Sequence, residues 1–295
     1  MTASRGFRHS DSRDRRDGVH LRGTDGADLV LDDVGPEGGT PVLLLHGGGQ
    51  TRQSWGRVGL SLANRGYRAL ALDLRGHGES AWASDSNYSP VALIGDVESV
   101  RQYVGRSMAL VGASLGGLIS LLYADARPSE VFGLALVDVV PRNNPSGVER
   151  IRNFLAANPD GFESFDDAVE AVAKYKSHRS RPQDPAGLHR NLRTAENGRL
   201  VWHWDPAFLL RDDHSWTLGR EELLADAARR LRVPTLLLLG GESDVVDSDA
   251  LADFLARVPH ATVEVVAGAG HMVAADENDA FGDALLAWLA MLGKR

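Results

Sequence analysis

The sequence contains no cysteine, no excess of positive charge and no long apolar run, and each absence excludes a class of protein. Without cysteine the chain can form no disulfide, no thiolate nucleophile and no cysteine-bound metal site. The formal net charge of −8 at pH 7 argues against a nucleic-acid partner, which would require a basic surface. No stretch approaches the roughly 18 consecutive apolar residues of a membrane span. We therefore expect a cytoplasmic enzyme or binding protein.

Several cofactor and metal motifs are also missing. H-E-x-x-H, which binds zinc, and G-x-G-x-x-G, which binds a dinucleotide, do not occur. No group of His, Asp and Glu has the spacing of metal ligands. The sequence therefore predicts neither a metal ion nor an organic cofactor.

The N-terminal segment differs from the rest of the chain. Residues 1–17 are rich in charge and lack the apolar core of a signal peptide, so we predict a disordered tail there. The whole chain is 43% hydrophobic and 24% charged, which is an ordinary globular composition.

From residue 18 onward, apolar segments alternate with segments of helical periodicity. Continuous apolar runs are typical of strands covered on both faces, and two shorter β-type segments precede them. The runs are PVLLLHGGG, YRALALD, SMALVGAS, VFGLALVDVV, PTLLLLGG and ATVEVVAG. Helical stripes lie between and after them, for example at 93–104, 251–258 and 281–289. The alternation predicts an α/β fold with a mostly parallel eight-stranded sheet and helices on both faces.

One interval, residues 141–230, breaks this alternation. It shows no clear strand, and apolar stripes at 165–172 and 223–231 predict helices. Ligands bind beyond the carboxyl ends of parallel strands, so a helical insertion here would act as a lid. Residues 18–140 and 231–295 would then form the core.

The segment LVGASLGG places Ser114 between a predicted strand and a predicted helix. Gly112 and Gly116 flank it in the pattern G-x-S-x-G, in which a sharp turn raises the serine hydroxyl above the sheet. Glycines keep Cβ atoms out of that turn. A glycine-rich turn with a helix-capping serine would explain the segment without catalysis.

A nucleophilic serine requires a base, and the base requires an acid that orients it. In folds with this turn the chain order is serine, then Asp or Glu, then His. Asp244 follows the run PTLLLLGG, and His271 follows ATVEVVAG. We predict that both converge on Ser114 at the carboxyl ends of the strands. Asp138, near the end of VFGLALVDVV, is the alternative acid, although a structural role at the start of the insertion suits it better.

The reaction also requires N–H donors for the developing oxyanion. One is the backbone N–H of Leu115, the residue after the nucleophile. The segment LLLHGGGQTRQSW resembles the α/β-hydrolase superfamily, because His46 and Gly47 follow the strand and Trp55 comes nine residues after the histidine. This resemblance implies the α/β-hydrolase fold and makes the N–H of Gly48 the second donor.

The stretches HGGGQ, GHGESAW and NYSP resemble a group of lid-bearing bacterial serine ester hydrolases. The resemblance implies hydrolysis of small-molecule carboxylic esters, with lactones and thioesters as further substrate classes. Asp73 and His77 precede the serine, which is the wrong order for triad members, and we interpret them as loop anchors. Two alternatives stay open: a C–C bond hydrolase with the same triad, and a ligand sensor that retains it.

Trp202 and Trp204 lie close together in the segment NGRLVWHWDPAF of the predicted lid. They could line a pocket for the acyl group of a substrate. They could equally pin the lid to its own core. The sequence leaves both interpretations open.

Overall fold

Ten strands and nine helices make up the described part of the chain, which in this computed structural model comprises residues 15–175, 185–210, 220–267, 269 and 279–293. The strands are β1 (Arg15–Arg22), β2 (Asp28–Val34), β3 (Thr40–Leu45), β4 (Tyr67–Leu72), β5 (Met108–Ala113), β6 (Val131–Val137), β7 (Leu192–Thr194), β8 (Leu200–Trp202), β9 (Thr235–Gly240) and β10 (Thr262–Val266). The helices are α1 (Gly56–Asn64), α2 (Pro90–Val104), α3 (Leu115–Ala126), α4 (Pro145–Ala156), α5 (Phe165–Tyr175), α6 (Ala207–Leu210), α7 (Glu221–Arg230), α8 (Ser248–Arg257) and α9 (Asp279–Leu292).

Eight of these strands form one sheet, in the order β1-β2-β4-β3-β5-β6-β9-β10. Strand β2 runs antiparallel to both of its neighbours, and the remaining pairs are parallel. The predicted eight-stranded, mostly parallel sheet is therefore confirmed. Strand β5 lies in its interior, so the residue after β5 emerges near the middle of the carboxyl edge.

The central strands are apolar throughout because helices cover both faces of the sheet. In β3, Leu43 and Leu45 belong to the core beneath α2, α3, α7 and α8. Val42 and Leu44 belong to the core on the opposite face, beneath α1 and α9. Alternate side chains of one strand thus enter different cores, which gives the continuous apolar run that the sequence shows.

The insertion between β6 and β9 contains a β-hairpin, so the prediction that it lacks strands is wrong. Strands β7 and β8 pair antiparallel across a turn in which Gly198 has a φ of 81°. Three-residue strands are too short to show a period-2 pattern, although Asn197-Gly198 is a common turn signal. Helices α4, α5 and α6 also lie in the described part of the insertion.

Two boundaries differ from those predicted for the tail and the insertion. Strand β1 begins at Arg15 rather than at residue 18, and Arg16 binds Asp33 of β2 at 2.6 Å. Residues 1–14 lie outside the described residues. Helix α7 places Leu224 and Ala227 in the main core, so we draw the end of the insertion before α7 rather than at residue 230.

Candidate active site

Ser114 occupies a strained turn at the end of β5. Its φ of 47° and ψ of −115° fall where a residue other than glycine is uncommon, and such strain is found at functional sites. A Cβ on Gly112 would lie 2.3 Å from the carbonyl oxygen of Gly116, and one on Gly116 would lie 2.4 Å from that of Leu45. Neither position can hold a larger residue without a backbone shift. The side chain of Ser114 makes no capping hydrogen bond to α3, so the helix-capping interpretation is wrong.

Two backbone N–H groups near Ser114 have no hydrogen-bond partner among the described residues. The first belongs to Leu115, which begins α3 and therefore has no intrahelical acceptor. The second belongs to Gly48, in the loop after β3. A Cβ on Gly47 would lie 3.4 Å from the Cβ of Ser114, so this loop passes directly beside the serine. Free N–H groups and the positive end of α3 make this a suitable place for an anion.

The loop after β3 is held in shape by its own side chains and by two histidines. Gln50 accepts a hydrogen bond from the N–H of Gly47 at 3.0 Å. Gly49 donates its N–H to Nε2 of His77 at 3.2 Å. His46 accepts from the N–H of Leu74 through Nε2 at 3.0 Å and donates from Nδ1 to its neighbour's carbonyl at 2.8 Å. The histidines thus fix the loop that carries the free N–H of Gly48.

Both histidines are neutral because they are fully buried. Burial lowers the pKa of His46 to about 4 and that of His77 to about 3. Each uses one ring nitrogen as an acceptor for a backbone N–H, which requires the neutral ring. Both histidines anchor loops, as predicted for His77.

A buried arginine joins the same loop to the loop after β4. The guanidinium of Arg52 binds Asp32 at 2.9 Å and also pairs with Asp73 and Glu79. The carboxylate of Asp73 in turn accepts from the backbone N–H of Arg52 at 2.6 Å and of Glu79 at 2.9 Å. Asp73 is therefore an anchor between two loops, as predicted.

Asp244, the predicted acid, lies where the loop after β9 meets the insertion. Its carboxylate pairs with the guanidinium of Arg150 on α4, and 36% of its side chain is exposed. The carbonyl of Val245 accepts a hydrogen bond from the N–H of Asn144 at 2.7 Å, so the backbone of this loop is bound to the insertion as well. Burial raises the pKa of Tyr175 to about 12, and the negative charge of Asp244 adds to that shift.

Asp138, the alternative acid, has a different environment. It follows β6, the neighbour of β5 in the sheet, and is wholly buried. Its φ of 50° lies in the left-handed region, like that of Ser114. Its carboxylate accepts hydrogen bonds from the N–H of Gly240 at 3.0 Å and from the hydroxyl of Ser243 at 2.7 Å. The side chain of Asp138 therefore links the end of β6 to the loop after β9 through hydrogen bonds.

The predicted base, His271, lies outside the described residues. Ala269, two residues before His271, is described, and its carbonyl accepts a hydrogen bond from the N–H of Glu242 at 2.8 Å. The carbonyl of Val266 accepts from the N–H of Gly241 at 2.9 Å. The loop after β9 is thus hydrogen-bonded to two described residues, one that ends β10 and one that follows it.

The insertion contacts the loops around Ser114 directly. A Cβ on Gly49 would lie 2.6 Å from Cδ2 of Leu155 on α4, so α4 packs onto the loop after β3. The backbone of Trp204 forms an antiparallel β-bridge with that of His77. These contacts join residues far apart in the chain, and no local pattern in the sequence signals them.

A buried tyrosine–aspartate pair adds a further contact between the insertion and the core. The hydroxyl of Tyr88 donates to Asp205 at 2.5 Å and accepts from the N–H of Ala83 at 3.0 Å. The N–H of Asp205 donates to the carbonyl of Gly76 at 2.7 Å. These residues lie 117 positions apart, and no local pattern in the sequence predicts that they pair.

Trp202 and Trp204 belong to a small apolar cluster within the insertion, together with Phe162, Ala168 and Leu192. The Trp202 ring meets Phe154 and Phe162 edge to face, at centroid distances of 5.7 and 5.2 Å. Trp204 lies at the boundary with the core, where its Nε1 is 3.8 Å from the place that a Cβ on Gly49 would occupy. Both rings therefore stabilise the insertion, and only Trp204 is placed against the loop beside Ser114.

A cavity of about 230 Å³ opens between α3, α4 and α7. Leu118 of α3, Val148 of α4 and Leu224 of α7 form its apolar part, and Arg152 with two glutamates gives it a charged rim. Leu118 lies one helical turn beyond Leu115. The cavity thus begins on the same helix that Ser114 precedes.

Within the described ranges, no group of three or more His, Asp or Glu side chains is arranged to hold a metal ion. A search of the same residues finds no helix that is both long and apolar enough to cross a membrane.

Comparisons with known proteins agree with this architecture. The family model described as alpha/beta hydrolase fold matches residues 40–277. An α/β hydrolase from Novosphingobium aromaticivorans has a similar solved structure, with a TM-score of 0.78 and 25% identity over 94% of this chain and 97% of that one.

Two similar proteins carry named activities. The esterase Rv0045c of Mycobacterium tuberculosis is 34% identical over 248 residues, which cover 80% of this chain and 78% of the esterase. A solved structure of that esterase has a TM-score of 0.73 and 31% identity, covering 93% of each chain. The sn-1-specific diacylglycerol lipase ABHD11 of Mus musculus is 28% identical over 263 residues, which cover 84% of this chain and 80% of the lipase.

Proposed function

This chain belongs to the α/β-hydrolase family, and from that membership we propose that it hydrolyses carboxylic esters through an acyl-enzyme formed on Ser114. The esterase and lipase relatives support ester hydrolysis as the reaction class. The observation that carries the acyl-enzyme mechanism is the turn at Ser114, where a strained serine lies beside two N–H groups that have no partner among the described residues. Lactones and thioesters present the same reacting carbonyl group.

In the proposed mechanism, Oγ of Ser114 attacks the ester carbonyl while His271 takes the hydroxyl proton. The N–H groups of Gly48 and Leu115 stabilise the oxyanion, and the positive end of α3 adds to that stabilisation. The alcohol leaves with the proton from His271. Water, activated by the same histidine, then attacks the acyl-enzyme and releases the acid.

The choice of the acid depends on burial and hydrogen bonding. An acid that orients the histidine is expected to be buried and held in place. Asp244, our choice from the sequence, is partly exposed and already paired with Arg150. Asp138 is wholly buried, and two donors from the end of β9 and the loop after it fix its carboxylate. That loop is hydrogen-bonded to Val266 and Ala269, which precede His271 in the chain. These observations support Asp138 as the acid, with Asp244 as the alternative.

We further propose that the insertion acts as a lid and that the cavity beside α3 receives the acyl chain. Leu155 and Trp204 of the insertion lie against Gly49, next to the proposed oxyanion donor, which supports a role of the insertion in covering the site. Leu118, one helical turn beyond Leu115, lines the cavity, and the apolar part of the lining suits a short or medium alkyl chain.

Replacement of the nucleophile tests the mechanism. Ser114→Ala should fold with an unchanged far-UV circular dichroism spectrum and lose most of kcat on 4-nitrophenyl esters, keeping only catalysis from the oxyanion donors and substrate binding. A serine-reactive phosphonate should label the wild type at Ser114. An active alanine variant, or labelling of a different residue, would contradict the proposal.

A matched pair of variants tests the acid. Asp138→Asn keeps the shape of the side chain but removes its charge, so it should lower kcat by a factor approaching ~10⁴. Asp244→Asn should leave kcat near that of the wild type, since it loses only a partly exposed ion pair. Steady-state kinetics of both purified variants decides between them. Near-normal kcat in Asp138→Asn together with an inactive Asp244→Asn would identify Asp244 as the acid.

A further inference from the structure

Three consecutive residues of the insertion carry buried ring nitrogens without a partner among the described residues. They are Nε1 of Trp202, Nδ1 of His203 and Nε1 of Trp204. Folded proteins satisfy nearly all buried polar groups, because an unpaired buried donor destabilises the native state. A donor that stays unpaired beside an active site is therefore a candidate for binding a ligand.

The two tryptophans differ in what surrounds their indole rings. The ring of Trp202 lies between Phe154 and Phe162 in the apolar cluster of the insertion. The Nε1 of Trp204 lies at the edge of Gly49, 3.8 Å from the place that a Cβ on that glycine would occupy. Gly48, the proposed oxyanion donor, is the preceding residue. Only the Trp204 donor is thus one residue away from the proposed oxyanion site.

Trp204 is also held rigidly in this position. The carbonyl of His203 accepts from the N–H of Gly78 at 2.8 Å, and Asp205 is fixed by Tyr88. The backbone of Trp204 itself pairs with that of His77, whose ring accepts from the N–H of Gly49. His77 therefore contacts both the backbone of Trp204 and the oxyanion loop. A donor carried on a backbone held in this way loses less freedom on binding a ligand than one on a mobile loop.

We propose that the indole N–H of Trp204 binds the substrate and selects esters that carry a hydrogen-bond acceptor a few bonds from the reacting carbonyl. Ether, ketone and amide oxygens are acceptors of this kind. The inference rests on the proposed function, because it requires that the ester carbonyl bind at Gly48 and Leu115. Its physical basis is that an all-carbon substrate leaves the buried donor unpaired, whereas an acceptor satisfies it.

Two variants and two pairs of substrates test this role. Trp204→Phe removes the donor and keeps an aromatic ring, and Trp202→Phe is the matched control, since it removes an equally buried, unpaired N–H elsewhere in the insertion. On the acyl side, 4-nitrophenyl methoxyacetate is compared with 4-nitrophenyl butanoate. On the alcohol side, 2-methoxyethyl acetate is compared with butyl acetate. Within each pair, the first ester has an ether oxygen at the position where the second has a methylene group.

The readout is the ratio of kcat/KM between variant and wild type on each ester, so that differences in intrinsic reactivity cancel. Trp204→Phe should lower kcat/KM for the ether member of at least one pair about 3- to 10-fold more than for its alkyl partner, which is the range expected for one net hydrogen bond. Trp202→Phe should affect both members equally. Thermal unfolding of each variant monitors folding.

Equal losses on ether and alkyl esters in Trp204→Phe would overturn the proposal, as would the same selective loss in Trp202→Phe. In either case hydrolysis that depends on Ser114 would persist, and the proposed function would stand. A wild type that hydrolyses none of the four esters would instead overturn the proposed function and this inference with it.

Discussion

The two buried histidines predict a specific loss of stability in mild acid. In the unfolded chain a histidine has a pKa of about 6.5, whereas in the folded protein burial lowers the pKa of His46 to about 4 and that of His77 to about 3. Below pH 6.5 the unfolded chain therefore binds protons that the folded protein does not. The free energy of unfolding is fully kept above that pH and falls as the pH decreases through this window.

The size of the loss follows from the two pKa values. Each histidine that is charged only in the unfolded chain contributes up to about 1.4 kcal/mol per pH unit below its unfolded pKa. Between pH 7 and pH 5 this amounts to about 2 kcal/mol for each side chain and about 4 kcal/mol for both. Such a loss is a large part of the stability of a typical domain.

Urea denaturation of His77→Gln at pH 7 and pH 5 measures this contribution. Glutamine can replace both hydrogen bonds of the ring but does not titrate, so the pH-dependent loss should be about 2 kcal/mol smaller than in the wild type. His20→Gln is the control, since His20 is exposed on β1 and its replacement should leave the pH dependence unchanged. A loss in His77→Gln as large as in the wild type would refute the reasoning, because it would mean that the folded protein tolerates a charged His77.

Two further substitutions test the packing around the site. Gly116→Ala would place a Cβ 2.4 Å from the carbonyl oxygen of Leu45 and should lower the free energy of unfolding by roughly 1–3 kcal/mol. Gly56→Ala is the control, since its Cβ would meet nothing within 4 Å, and it should be neutral or slightly stabilising. Equal losses of unfolding free energy in Gly116→Ala and Gly56→Ala, measured by urea denaturation, would contradict this reasoning. Tyr88→Phe removes the donor to one carboxylate oxygen of the buried Asp205, whose other oxygen still accepts from the N–H of Ala207, and should speed limited proteolysis within residues 141–220. Cleavage as slow as in the wild type would contradict a role in fastening the insertion.

The sequence by itself determined the architecture and the turn at Ser114. Continuous apolar runs signal strands with two covered faces, because alternate side chains enter different cores, and β3 shows this directly. The glycines around Ser114 are equally local signals, since each lies where a Cβ would meet backbone atoms. The hairpin β7–β8 was missed because three residues are too few to show a period, although its Asn-Gly turn was visible.

Only the tertiary structure decided how the polar groups are partnered. Asp138 and Asp244 both follow a strand, and the sequence favoured Asp244 as the acid. The fold buries Asp138 and leaves Asp244 partly exposed beside Arg150, which a local pattern does not show. Trp202 and Trp204 look equivalent in the sequence, yet only the second lies against Gly49. The physical reason is that burial and hydrogen bonding depend on which distant segments dock together, whereas periodicity and glycine spacing report only on the local backbone.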